Sequence, residues 1–146
     1  MLIGIPAILG PDLLYALRAM GHGDEIAIVD GNYPAHEHAR RLVRADGHGV
    51  LALLSAILQV MPVDRSVSQA LFRASPDGNP AVRAAIHCQI DDLCAVMAPG
   101  ISMTPLIGDA LYPRIRAAHT IVASSELHHY ANVILRKGVI DAPGSS

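Results

Sequence analysis

The sequence has no tryptophan, a single phenylalanine and only two cysteines among 146 residues. Cys88 and Cys94 fall in a helical stretch and form no CxxC. They therefore read as free thiols of a reducing compartment, and the cytoplasm is the expected location. Positive charge is also scarce, with 11 Lys and Arg against 13 Asp and Glu. No basic stripe offers the electrostatic footprint of nucleic-acid binding. No apolar run approaches the roughly 20 residues that a membrane span requires. Met1 to Leu9 is apolar but lacks a charged leading region and runs into Gly10-Pro11, so it does not read as a signal peptide. GxGxxG, GxxxxGKS/T and GxSxG are all missing, which leaves nucleotide-binding and serine-hydrolase readings without support.

What is abundant is apolar surface and histidine: 51% of residues are hydrophobic and eight are His. This length and composition suit one folded domain, expected over 1–140, with a fraying tail from Asp141 to Ser146. Gly10-Pro11-Asp12 opens a helix carrying Leu13, Leu14, Leu17 and Met20 at helical spacing, with Gly21 as its C-cap. Glu25 to Asp30 is a nearly continuous apolar run, the pattern of a buried strand with Asp30 at its carboxyl edge. Gly31-Asn32-Tyr33-Pro34 is a turn or loop. Further strands are expected at Arg41–Arg44, Gln69–Ala74, Met103–Ile107, Thr120–Ser124 and Tyr130–Leu135. Further helices are expected at Gly49–Met61, Pro80–Met97 and Ala110–Ala118. Ser75 to Pro80 is the strongest loop signal. This alternation predicts an α/β layer architecture around one sheet.

Three clusters carry candidate chemistry. His22 stands between Gly21 and Gly23, just after a helix and just before a buried strand, and glycines there allow a ligand to approach closely. If ligands gather at the carboxyl ends of strands, His22 and Asp30 border one pocket, one moving a proton and the other holding hydroxyls. The competing reading is a helix terminus in which His22 bonds the last carbonyls. His36-Glu37-His38, with His48 nearby, has the spacing of some metal-ligand pairs but no completed ligand set, and reads first as a solvated loop. Tyr130 and Asn132 are two apart, so on a strand they share a face that offers a ring, a hydroxyl and an amide to a sugar. The competing reading is one core-packing Tyr at a strand start. Leu51, Leu54 and Leu58 form a core or subunit-interface stripe.

With these residues in view the sequence resembles the ribose pyranase and L-fucose mutarotase (RbsD/FucU) family over nearly its whole length. Leu13 to Asp30 (LLYALRAMGHGDEIAIVD) is similar to the family's helix, Gly-His-Gly turn and first strand. Pro34-Ala35-His36 and Val43-Arg44-Ala45-Asp46-Gly47 are closer to the fucose branch, and Tyr130 to Val139 is similar to the terminal Tyr-small-Asn strand. The resemblance implies a three-layer α/β/α sandwich with a mixed sheet, ring-shaped homo-oligomers that are commonly decamers, and interconversion of monosaccharide anomers without cofactor or metal. It implies His22 as proton donor and Asp30, Tyr130, Ala131 and Asn132 as sugar contacts, in a site built between subunits. One departure stands out. The family's Arg or His contact falls here on Gly108, so Asp109 is expected to take it over, or the hydroxyl there is recognised differently. Pyranase action on ribose, non-catalytic sugar binding or transport accessory work, and a metal-dependent enzyme using His36, His38 and His48 are the alternatives.

Overall fold

Ile26, Ala27, Ile28 and Val29 are fully buried because β1 (Glu25–Val29) runs through the middle of a six-stranded sheet. The computed structural model describes residues 1–144. Helix α1 (Pro11–Ala19) precedes β1, followed by α2 (Ala35–His38), β2 (Leu42–Arg44), α3 (Val50–Val60) and β3 (Leu71–Ala74). Next come α4 (Ala85–Met97), β4 (Met103–Leu106), α5 (Gly108–Ala117), β5 (Thr120–Ala123) and β6 (Val133–Arg136). The strand order is β2-β5-β1-β6-β3-β4. Only β6 runs against its neighbours, pairing antiparallel with both β1 and β3. The other pairings are parallel.

The two faces of the sheet alternate along each strand, as the pleat requires. Ile26, Ile28, Leu71 and Leu135 face Leu13, Leu17, Leu53, Leu54, Ile57, Ile86 and Ile90 of α1, α3 and α4. Ala27, Val29, Phe72 and Ile134 face Leu111 and Ile115 of α5, with Tyr33 and Ala35 beside them. The result is helix on sheet on helix, the expected three-layer mixed sandwich. Leu54 lies fully in the core, and Leu51 and Leu58 pack against it.

Several boundaries differ from the sequence expectation. Helix α4 begins at Ala85 and not at Pro80, because the Asn79 side chain takes the Ala81 N–H and Ala84 is extended. Helix α1 ends on an extended Met20, and the left-handed residue is Gly23 (φ 88°), not Gly21. Gly21 instead donates its N–H to the Asp24 carboxylate at 2.7 Å. His36-Glu37-His38 is not loop but the one-turn helix α2. Finally, β6 starts at Val133, so Tyr130, Ala131 and Asn132 form the approach to the strand. Of the expected fraying tail, Ser145 and Ser146 lie outside the described residues, whereas Asp141 lines a pocket beside Asp64.

Candidate active site

At the amino end of β1, the left-handed Gly23 turns the chain and leaves the His22 side chain 48% exposed. Its Nε2 lies 3.2 Å from Oδ2 of Asp64 and 3.4 Å from the Ser66 hydroxyl. Asp64 is only 1% exposed, but it is shallow, roofed by its own partners. Arg136 Nε donates to its Oδ2 at 2.8 Å. The Ser66 hydroxyl and N–H both donate to its Oδ1, at 2.7 and 2.9 Å. Arg136 first, then the two Ser66 bonds, hold this carboxyl well below the usual carboxylate range, against the opposing effect of burial. A fixed negative charge thus sits behind the imidazole. Asp64 and Ser66 also line a pocket of about 350 Å³ with Met61, Met97 and Val139, a volume suited to a small molecule.

A second polar cluster occupies the opposite end of β1. Because β6 is antiparallel, its approach segment meets the carboxyl end of β1, and the Asp30 N–H donates to Oδ1 of Asn132 at 2.8 Å. Asp30 Oδ1 accepts the Asn32 N–H, closing the turn after the strand. Asn132 is 6% exposed, Ala131 is fully buried and Tyr130 is 51% exposed. Tyr130 has φ 57°, the one non-glycine with positive φ among the described residues, a conformation that costs on the order of 1–3 kcal/mol. It therefore does not share a strand face with Asn132, contrary to the two-residue spacing argument. Glu126 braces the loop before it, accepting N–H groups of Leu127, His128 and Val50 and the ring of His128. Burial pushes its carboxyl up, but the bonds from His128 and Val50 outweigh that and lower it.

His22 and Asp30 consequently do not share a pocket within one chain. The five residues of β1 separate them by about 17 Å at the usual rise. Asp109 is exposed in the first turn of α5, at the edge strand's carboxyl end, where a carboxylate also complements the helix dipole. A Cβ at Gly108 would meet the Tyr112 ring at 3.3 Å, so the glycine leaves room for that ring. Tyr112, 46% exposed, stacks on Tyr33 with centroids 5.7 Å apart, and Tyr33 follows the Asp30 turn. Burial first, then Tyr112, pushes the Tyr33 phenol up to about 12.

The histidine cluster behaves differently from a ligand set. Arg116 donates to Nε2 of His38, which leaves the Nδ1 proton to bond the Tyr33 hydroxyl at 2.8 Å. Both ring nitrogens are thus engaged, and His36 and His48 are exposed on separate segments. Among the described residues no three His, Cys, Asp or Glu side chains are grouped to hold a metal ion. Nor is any helix there long and apolar enough to cross a membrane. Sequence reasoning missed Asp64, Ser66, Arg136 and Tyr112. The Gly108–Tyr112 spacing, one helical turn, was the only local signal for any of them.

Fold and site together define a three-layer α/β protein with a carboxylate-backed histidine at one end of its central strand and a polar cluster of Asp30, Asn132 and Tyr130 at the other. Residues 3–140 match the model of the RbsD / FucU transport protein family, and the chain belongs to that family. It is 35% identical to the fucose mutarotase of Homo sapiens, covering 94% of this chain and 93% of that one. It is 36% identical to the L-fucose mutarotase of Glaesserella parasuis, covering 95% and 96%. Among solved structures, the fucose mutarotase of Streptococcus pneumoniae in complex with L-fucose superposes with a TM-score of 0.86 at 36% identity, covering 96% of this chain and all of that one. Bacillus subtilis RbsD complexed with D-ribose shares the fold, with a TM-score of 0.71 at 18% identity.

Proposed function

We propose that the protein is a cofactor-independent isomerase of the L-fucose mutarotase type, interconverting the α and β anomers of a free monosaccharide in the cytoplasm. The observation that carries this reading is the division of polar groups between the two ends of β1. His22 backed by Asp64 supplies acid–base chemistry, while Asp30, Asn132 and the exposed Tyr130 supply donors and acceptors for hydroxyls. The identity to fucose mutarotases over almost the full chain favours fucose over ribose as substrate.

Opening the hemiacetal requires a proton placed on the ring oxygen and one removed from the anomeric hydroxyl. The C1–O5 bond breaks as the C1 carbonyl forms, and closure on the other face returns both protons. No net electron or group transfer occurs, so no redox partner is needed. His22 delivers the ring-oxygen proton, solvent water takes the anomeric hydroxyl proton, and the Asp64 carboxylate orients the imidazole and stabilises charge that develops on it. Asp30 and Asn132 position the sugar with the fully buried Ala131 packed behind them, Tyr130 gives a ring face and a hydroxyl, and Asp109 takes an outer hydroxyl near Gly108. Since the two ends of β1 are far apart, the donor of one subunit serves the hydroxyl-binding set of another, within a ring-shaped homo-oligomer of the decameric kind.

Saturation-transfer NMR on L-fucose tests the assignment. His22→Ala is expected to lower enzyme-accelerated exchange by about 10²–10⁴-fold. Its melting temperature should stay near wild type, because the side chain is half exposed. Undiminished exchange in the variant sinks the role of His22. Saturable fucose binding with no acceleration by the wild-type protein sinks the enzymatic reading itself.

A further inference from the structure

We infer that His87, a buried residue of α4 remote from both polar ends in sequence, is a positioning residue that holds Tyr130 in its left-handed conformation for sugar binding. This rests on the reading of Tyr130 as a substrate contact. His87 is 1% exposed, and both ring nitrogens are committed. The Ala84 N–H donates to Nδ1 at 3.2 Å, as the N3 residue of a helix-capping box accepts the N-cap donor. Nε2 therefore carries the proton and donates it to the Tyr130 carbonyl at 2.8 Å. That bond falls between the Glu126 contacts at Leu127 and His128 and the Asn132 contact with Asp30. It grips the chain at the residue whose backbone, at φ 57°, is least able to hold itself there.

Helix α4 is a rigid post for this purpose. One turn beyond His87, Asp91 accepts two bonds from the buried Arg73 of β3, at 2.7 and 3.2 Å. Ile86, Ile90 and Cys94 are packed into the core on the same helix. A loop carbonyl anchored to such an element inherits its precision, which a loop-to-loop contact would not give. The proton on Nε2 is fixed there by the cap on Nδ1, so the cap and the loop anchor are coupled through one ring.

Two isosteric substitutions separate these roles in the full-length protein. His87→Asn keeps an acceptor near Nδ1 and loses the donor to Tyr130, while His87→Gln places an amide donor at the Nε2 position and loses the cap. For exchange of L-fucose anomers, His87→Asn is expected to raise KM about tenfold, the factor that goes with one lost hydrogen bond, with kcat changed less. His87→Gln should restore KM to within about twofold of wild type even if its melting temperature is lower. Wild-type KM in His87→Asn, or equal damage to KM in both variants in step with their melting temperatures, overturns the positioning role. Tyr130→Ala, measured alongside, distinguishes the levels. If it leaves KM untouched, the reading of Tyr130 fails and the inference with it. If it raises KM while His87→Asn does not, only the role of His87 fails.

Discussion

Asp64 matters as an individual residue because three donors and a histidine converge on one shallow carboxylate. Replacing it with Asn removes the charge behind His22 while keeping the side chain's size. Fucose exchange is expected to fall by about 10²-fold, the lower end of acid–base assistance. At pH 7 the variant should also lose on the order of 1–3 kcal/mol, the worth of hydrogen bonds to a charged group. The pH dependence has a definite sign. The folded carboxyl titrates below its ordinary 3.8, so its stabilisation is fully present above that value and is lost as pH falls through the depressed folded pKa. Denaturation measured from pH 7 down to pH 2 should therefore show wild type and Asp64→Asn converging only below about pH 4. A constant gap across that range would show that the charge is not what stabilises. None of this was visible in the sequence. Asp64 lies 42 residues from His22 and 72 from Arg136, in a Pro62-Val63-Asp64-Arg65 stretch with no local chemical signature. His22 itself was legible because its flanking glycines are an unusual local pattern, although the left-handed turn falls on Gly23 alone.

Among the elements, the short strand β6 and the segment that crosses its end are the most constrained. Lys137 and Gly138 follow the strand, and a Cβ at Gly138 would lie 2.7 Å from the Val63 carbonyl oxygen and 2.9 Å from Asp64 Cα. These are backbone atoms that cannot swing aside. Gly138→Ala is expected to push the 62–66 segment outward, costing about 1–3 kcal/mol in chemical denaturation. It should also reduce fucose exchange by moving Asp64 away from His22, whereas an unchanged rate would mean that this spacing is not critical. Most elements could be read from pattern: β1 from its continuous apolar run, α3 from its apolar length between Gly49 and Pro62. The failures were at boundaries that tertiary contacts decide. Asn79 and an extended Ala84 postpone α4, and the carbonyl bond from His87 accompanies the left-handed Tyr130 that delays β6. Period-two spacing could not foresee a backbone inversion inside the spacing.

For the whole molecule, the proposed function makes the two ends of β1 complementary half-sites of neighbouring subunits, and its prediction belongs to mixtures of chains. His22→Ala and Asn132→Ala should each be inactive alone. Co-assembled in equal amounts, they are expected to regain exchange, at roughly a quarter of the sites if halves pair at random between subunits. An absence of recovery in verified mixed oligomers would mean that both groups act within one chain. An α/β layer architecture was legible from the alternating elements, whereas the three layers and the proton-donor role of His22 came from the family resemblance. The separation of His22 and Asp30 within a chain was already implied by the sequence, because His22 precedes the apolar run and Asp30 closes it; grouping them by the carboxyl-end rule overlooked that His22 enters at the amino end.

The reversed direction of β6 has a consequence for quality control. Its two ends anchor the two polar clusters, Asn132 on Asp30 just before it and Arg136 on Asp64 at its close. A slip of two residues in its pairing would preserve which side chains face the core yet carry both anchors about 7 Å from their partners. Such a chain would be defective as donor and as acceptor together. An assembly built from correctly registered and slipped copies would thus contain chains that are whole or useless, with none that is competent at one end only.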